Sequence, residues 1–380
     1  MGRKGITVGR RNNGEGSIQK RKDGRWCGRY SVDGKRKYVY GKTRKEVSEK
    51  LFKLISESKS SYAFDIDSKI LIRDHMNDWL ENSVRASVSI RTYERREEVT
   101  RLHVIPLLGD MKLKDLTPNH LRRLYREKLD SGLSPRSVNH IHCTLNKALN
   151  EAVRWRIIPV NVCGLVNPPR CPDEEMKVLT SKQVGRLLEI SKGDRFEALY
   201  YLAVTTGMRR GELLALKWED VNFNRGTVQV KRSLSRIRGG LIFVSPKSAK
   251  GRRNIALTTG VIEALRKHRV IQDEERSREN WQENGLVFPT TVGTPLYPHL
   301  VVQRSFKKLL RKAGLPLDTR FHDLRHTAAT LLLTKGVHPK IVQELLGHSS
   351  ISITLDTYSH VLPNMQSEAV RAMEDIFKDD

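Results

Sequence analysis

The sequence predicts a multidomain chain: a small three-stranded β-sheet with one helix, then an α-helical domain, then a mixed, mainly α domain with a small antiparallel sheet. Three observations predict it. A length of 380 residues exceeds what one small core organises. Strand-like alternation appears at the start of the chain and again near residues 226–258, with helical periodicity elsewhere. A proline-rich break, "IIPVNVCGLVNPPRCPDEE", then separates two long helical regions. The boundaries expected are 1–62, 66–165, a linker at 166–178, and 179–380.

The first domain rests on "GRWCGRYSVDGKRKYVYG", which alternates around Asp33-Gly34, a strong short hairpin signal. "GSIQKR" supplies a third strand, and Val47, Leu51, Leu54 and Ile55 form the apolar stripe of a following helix. The sheet would bury one face on that helix and present basic side chains such as Arg29 and Lys37 on the other. Arg25 and Lys35 lie in the same hairpin. Sheets presented in this way can enter a major groove.

Four helices are expected from about residue 68 to 156. Ile72, Met76, Trp79 and Leu80 mark the buried stripe of the first. Two others open on Thr117-Pro118 and Ser134-Pro135, a capping residue followed by proline at the first helical position. In the last domain, "GTVQVKR", "GLIFVSPKS" and "RRNIALT" read as strands enclosed by helices.

Charge narrows the partner. There are 69 Lys and Arg against 43 Asp and Glu, a formal net charge of +26. Residues 1–45 alone hold 15 Lys and Arg against three acids, a net of +12. Such a surplus favours a polyanion. No apolar run is long enough to span a bilayer, and "MGRKGITVGRRNNGEG" lacks the apolar stretch of a signal peptide. Cys27, Cys143, Cys163 and Cys171 follow no zinc-ligand spacing and read as free thiols in a reducing cytosol. Phosphate-loop and dinucleotide fingerprints are absent, so nucleotide use has no support. A soluble intracellular nucleic-acid protein is expected.

Four stretches of the last domain collect residues that suit a phosphodiester. "TTGMRRGELLAL" places Arg209 after a glycine turn, at a helix start. "SPKSAKGRRNIAL" places Lys247 at a strand end or hairpin turn. "FHDLRHT" gives His322 and Arg325, three residues apart, leading into a wholly apolar helix. "LLGHSSISITLDTYSHV" gives His348 and, ten residues on, Tyr358. An arginine directed into a core asks for an anion, because charge is rarely buried unpartnered.

Together, in this order, the stretches resemble the tyrosine recombinase (phage integrase) family: "TGMRRGEL" its TGxRxxEL box, "FHDLRHT" its HxLRHT box, "LGHSSISITLDTY" its LGHxxxxxTxxxY box. The resemblance is dense over roughly 175–360 and looser over the helical domain. The basic start is similar to the arm-binding domain of integrases from phages and integrative elements. It implies an enzyme that breaks and rejoins double-stranded DNA through a covalent 3′-phosphotyrosine, with no metal, cofactor or ATP. Tyr358 would be the nucleophile, Arg209 and Arg325 bidentate phosphate clamps, and His322 the base. Lys247 would be the acid for the leaving oxygen, and His348 a further donor to the phosphate. Lys250 competes with Lys247 for its role, and Arg210 with Arg209. Glu212 would support the site or simply favour its helix N-terminus. His326, His338 and His360 read as structural or solvent-facing.

The same resemblance implies core-type and arm-type attachment sites, a homotetramer on DNA, and accessory directionality and DNA-bending proteins. It places the chain in a bacterial or phage-infected cytoplasm, at the nucleoid, with no membrane partner. A type IB topoisomerase and a catalytically silent DNA-binding regulator are the rival readings.

Overall fold

A computed structural model describes residues 17–21, 23–32, 35–59, 69–172, 176–246 and 249–358, with backbone alone at 31, 32, 35, 36, 54–59 and 249. They form two compact units that divide between Asp173 and Glu174.

The first unit opens with strands β1 (Ser17–Lys20), β2 (Trp26–Val32) and β3 (Lys35–Gly41), antiparallel and in sequential order. Val32 pairs with Lys35, so Asp33 and Gly34, themselves outside the described residues, join the two strands. The helix Arg44–Lys59 lies across one face, with Val47 and Leu51 fully buried. Gly28 permits this approach: a Cβ there would come within 2.8 Å of Val39 and 2.9 Å of Val47. Of the expected stripe, the side chains of Leu54 and Ile55 are outside the described residues.

The register corrects one expectation. Arg29 pairs with Tyr38 and Tyr30 with Lys37. Paired residues share a face and successive residues alternate, so Arg29 and Lys37 lie on opposite faces of the sheet. Lys37 shares the side of Tyr30 and Val39, which faces the helix, and the Lys35 side chain is outside the described residues. Arg29, Tyr38 and Tyr40 share the outer side, where both tyrosines are exposed. Both basic residues carry odd numbers. Across a two-residue connection, however, an odd residue of β2 stands opposite an even residue of β3.

Four helices follow, over 72–87, 90–108, Pro118–Asp130 and Pro135–Arg154. The first two contain short π-helical stretches, Trp79–Val84 and Thr100–Val104. Ile72, Met76, Trp79 and Leu80 are buried as their spacing predicts. Thr117 and His120 form a reciprocal cap, and Ser134 Oγ accepts from the Ser137 amide at 3.2 Å. The proline-rich stretch ends the last helix but does not at once leave the core. Ile158, Val162, Cys163 and Val166 pack among the four helices, and the Asn161 amide donates to Asn146 O and Asn150 Oδ1. All four cysteines are free thiols.

The second unit is mainly α. The apolar helix Glu197–Thr206 runs through its core, with Leu199, Tyr200 and Leu202 fully buried. Around it stand the helices Ser181–Ile190, Arg210–Leu214, Thr259–Arg276, 298–312, Asp323–Thr334, Pro339–Leu346 and Ile351–Tyr358. The strands are β4 (Val221–Asn222), β5 (Thr227–Val230), β6 (Ser233–Ile237), β7 (Gly240–Val244) and β8 (Arg253–Ala256). They make one sheet in the order β4-β5-β8 and a separate β6-β7 hairpin. The alternation pattern anticipates β5, β7 and β8. It misses β4, which is two residues long, and β6, whose "SLSRI" carries too little apolar signal. No helix among the described residues is long and apolar enough to cross a membrane.

Candidate active site

The site is assembled at the ends of helices. Glu197–Thr206 terminates at Gly207, φ +60°, the left-handed cap that glycine adopts without cost. Any Cβ there would stand 2.5 Å from Leu346 Cδ2. The chain then extends through Arg209 and re-enters a helix at Arg210, so "TGMRRGEL" encodes a helix stop, a turn and a helix start.

Arg209 is half-exposed and held from below by Glu212. Its backbone amide donates to Glu212 Oε2 at 3.0 Å, and its Nη1 donates to Oε1 at 2.8 Å. Glu212 is itself buried, 3% exposed, and its Oε2 also accepts Arg253 Nη2 at 2.9 Å. Burial works against the Glu212 charge, yet the hydrogen bond and charge of Arg253, with those of Arg209, hold the carboxyl below its ordinary range. Its role is therefore more than favouring a helix terminus: one carboxylate fixes two guanidiniums.

Arg253 is the residue that sequence reasoning missed. From the start of β8 its Nε donates to Leu345 O at 2.6 Å and its Nη1 to Gly251 O at 3.2 Å. Gly347, φ +67°, makes room for it, since a Cβ there would lie 3.0 Å from that guanidinium. One signal was available: Arg253 stands two residues before Ile255 on the inward face of an alternating strand.

Arg325 answers the question that its sequence position raises. It is 3% exposed, and its Nη1 donates to Gly207 O at 2.8 Å while its Nη2 donates to Leu346 O at 2.7 Å. Both acceptors are carbonyls at helix C-termini, where partial negative charge collects. Burial, with Arg209 adding repulsion, pushes the guanidinium down to about 9, so it is still a cation at neutral pH. Arg209, Arg253 and Arg325 thus gather around a single buried carboxylate, which leaves the cluster net positive.

Two histidines border these cations. His322 begins the helix Asp323–Thr334. Although the residue is exposed, the protein around its ring, and then His326, Arg325 and Arg209, push it down to about 4. His348 is half-buried, with Nδ1 2.9 Å from Thr354 Oγ1; burial and then Arg325 and Arg209 take it to about 4 as well. Both rings are neutral at pH 7.

Tyr358 ends the helix Ile351–Tyr358 and is 1% exposed, packed with Ala329, Leu333, Val342 and Leu346. Burial pushes its phenol up to about 12, opposed by Arg325. The histidine that meets its hydroxyl is His326, whose Nδ1 lies 2.9 Å from Oη, and not His322. His326 is half-buried, so of the two expectations for it the solvent-facing one is corrected. His338 caps its helix, its Nδ1 accepting from the Lys340 amide at 3.1 Å. His360 is outside the described residues.

Lys247 too is outside the described residues. Lys250 is described, and its Nζ donates to Ser349 O at 2.9 Å, beside His348. In the first unit, Arg25 binds Asp23 and Arg29 Nε donates to Ser17 Oγ at 2.7 Å.

Comparison with known proteins gives this arrangement its class. Residues 177–365 match the phage integrase family, and residues 72–129 match the phage integrase N-terminal SAM-like domain. A tyrosine recombinase XerC-like protein of Caldanaerobacter subterraneus subsp. tengcongensis is 31% identical, over 90% of this chain and 92% of its own. The Tn1549 transposon integrase in complex with a circular intermediate DNA superposes with a TM-score of 0.68 at 24% identity, covering 81% of this chain and 99% of that one. A lambda integrase tetramer bound to a Holliday junction superposes with a TM-score of 0.55 at 20% identity, over 88% and 96%. The chain belongs to the phage integrase family, the tyrosine recombinases, and is a site-specific integrase that cleaves and rejoins DNA.

Proposed function

We propose that this integrase inserts and excises a mobile element through a 3′-phosphotyrosine formed by Tyr358. The observation that carries the reading is the net-positive cluster of Arg209, Arg253 and Arg325 around one carboxylate, with Tyr358 beside Arg325. Such a cluster suits a dianionic pentacoordinate phosphate, whose extra charge appears only in the transition state. Arg209, more exposed than Arg325, would meet the phosphate oxygens most directly, with Arg325 and His348 completing the cage. The phenol gives its proton to a neighbouring histidine as its oxygen bonds to phosphorus and the bond to the 5′-oxygen breaks, and Lys247 or Lys250 gives that leaving oxygen its proton. Bond energy is kept in the phosphotyrosine, so rejoining needs no ATP.

The outer face of β1–β3 and its helix would bind arm-type DNA, and the four-helix region core-type DNA. Four cleavages per exchange imply four protomers, a number also found in the lambda integrase tetramer on a Holliday junction. Accessory directionality and DNA-bending proteins would work with it on bacterial DNA in the cytoplasm, at the nucleoid.

The test is a nicked core-site duplex, taken from the DNA flanking the gene, that traps the covalent adduct. Tyr358→Phe should form no adduct while binding the duplex as the intact protein does. An adduct that persists in this variant would place the nucleophile elsewhere.

A further inference from the structure

The contact that the family boxes leave unassigned is the one at the nucleophile itself. His326 Nδ1 lies 2.9 Å from Tyr358 Oη, with the ring centroids 5.9 Å apart, and the His326 ring also meets His322 edge-on, centroids 5.0 Å apart. His326 therefore touches both the phenol and His322.

We propose that His326 is a catalytic residue, the base that takes the phenolic proton as Tyr358 attacks phosphorus. This rests on reading Tyr358 as the nucleophile. In the forward step the proton passes from Oη to Nδ1, the Oη–P bond forms, and the bond from phosphorus to the 5′-oxygen breaks, that oxygen being protonated by the lysine acid. In rejoining, the 5′-hydroxyl attacks, the P–Oη bond breaks, and His326 returns its proton to the departing phenol.

Geometry comes first. A base must lie within about 2.6–3.2 Å of the atom it deprotonates, and His326 does. It is also held in place. Its backbone neighbour Arg325 is pinned to Gly207 and Leu346, and both sit in the first turn of the helix Asp323–Thr334. The charge around it suits the role. The ring faces Asp323, which favours its protonation, and Arg325 and Arg320, which oppose it; His322 and His348 lie near and are neutral at pH 7. Burial outweighs the acid and keeps the imidazole below its ordinary range, so the ring is neutral and can accept a proton. A phenol held up at about 12 gains more from such a base than one near its ordinary value.

The experiment uses the full chain and the same nicked core-site duplex, with adduct formation followed from neutral pH upward. His326→Asn keeps an amide near the place of Nδ1 but cannot carry a proton away. We expect it to bind the duplex and unfold as the intact protein does. At neutral pH it should cleave at least about a hundredfold more slowly, the low end for loss of a positioned base. Its rate should then climb with pH as hydroxide takes over, while the intact enzyme stays flat. A fluorinated, more acidic tyrosine at position 358 should restore the variant more than it helps the intact enzyme. His322→Asn should slow cleavage without creating a pH slope. Unchanged or faster cleavage by His326→Asn would overturn the proposal, since the bond would then be dispensable or a restraint. So would a pH-independent defect that the acidic phenol leaves in place, or a pH slope appearing with His322→Asn instead. Persistence of adduct in Tyr358→Phe would point to failure of the nucleophile reading, whatever His326 does.

Discussion

The two cationic regions of this molecule hold their charges in opposite ways. In the N-terminal sheet, Arg29 of the outer face shares one hydroxyl, and in the turn before β2 Arg25 folds onto Asp23 while Arg21 lies over the exposed ring of Tyr40. In the catalytic unit, Arg325 is buried and the side chain of Arg253 is largely covered, and between them they donate to the carbonyls of Gly207, Gly251, Leu345 and Leu346 and to Glu212. Exposed cations are screened by salt and remain free to move, so they contribute affinity for any phosphate backbone. Buried cations fixed by carbonyls cannot relax away from an incoming phosphate, and a fixed donor is worth most when charge develops on the substrate. One surface is suited to holding DNA and the other to cutting it.

The largest effect that can sharpen this contrast comes from Arg325. Arg325→Ala should lower the cleavage rate by at least about a hundredfold, the scale for removing one preorganised donor from a developing anion. It should also reduce stability by on the order of 1–3 kcal/mol for a buried carbonyl left without its donor. Arg209→Ala should match it in rate but not in stability, because Arg209 is half-exposed. Single-turnover cleavage and thermal unfolding of the two variants separate these contributions. If Arg210→Ala proves more damaging than Arg209→Ala, the alignment of the arginine box is off by one.

A smaller effect concerns Glu212. Its folded pKa lies below its unfolded value, so its contribution to stability is fully present above the ordinary glutamate range. That contribution is lost as pH falls through the ordinary value toward the depressed one. Glu212→Gln should therefore lower the melting temperature at neutral pH and flatten its decline on acidification. A variant that keeps the intact protein's acid sensitivity would show that other carboxylates set that limb. Cleavage should also slow, since Arg209 and Arg253 lose their shared anchor.

These contrasts mark what was legible in the sequence. The boxes around Arg209, Arg325, His348 and Tyr358 were legible because each is local: a glycine stop, a capped helix start, a short spacing along one helix. The hairpin and the capped helices were legible for the same reason. What escaped depends on contacts between distant segments. Arg253 meets Glu212 across 41 residues and His326 meets Tyr358 across 32, and neither pair leaves a periodic trace. The burial of Tyr358 was also hidden, because "ISITLDTY" exposes Ile351, Ile353 and Leu355 and turns its tyrosine inward. The face taken by Lys37 was hidden by parity across the hairpin.

The smallest effect tests that parity directly. If the outer face of the sheet meets the DNA backbone, Arg29→Ala should weaken binding to arm-type duplex and reduce the salt dependence of that binding by about one unit of slope, one phosphate contact. Lys37→Ala should do less, because its strand position points to the side of Tyr30 and the helix. The aromatic pair Tyr38 and Tyr40, exposed on the same side as Arg29, would give that face a rigid apolar floor on which sugar and base edges can rest. Titrations of both variants at several salt concentrations decide it. A steeper loss from Lys37→Ala would mean that the split between outer and inner faces does not govern binding.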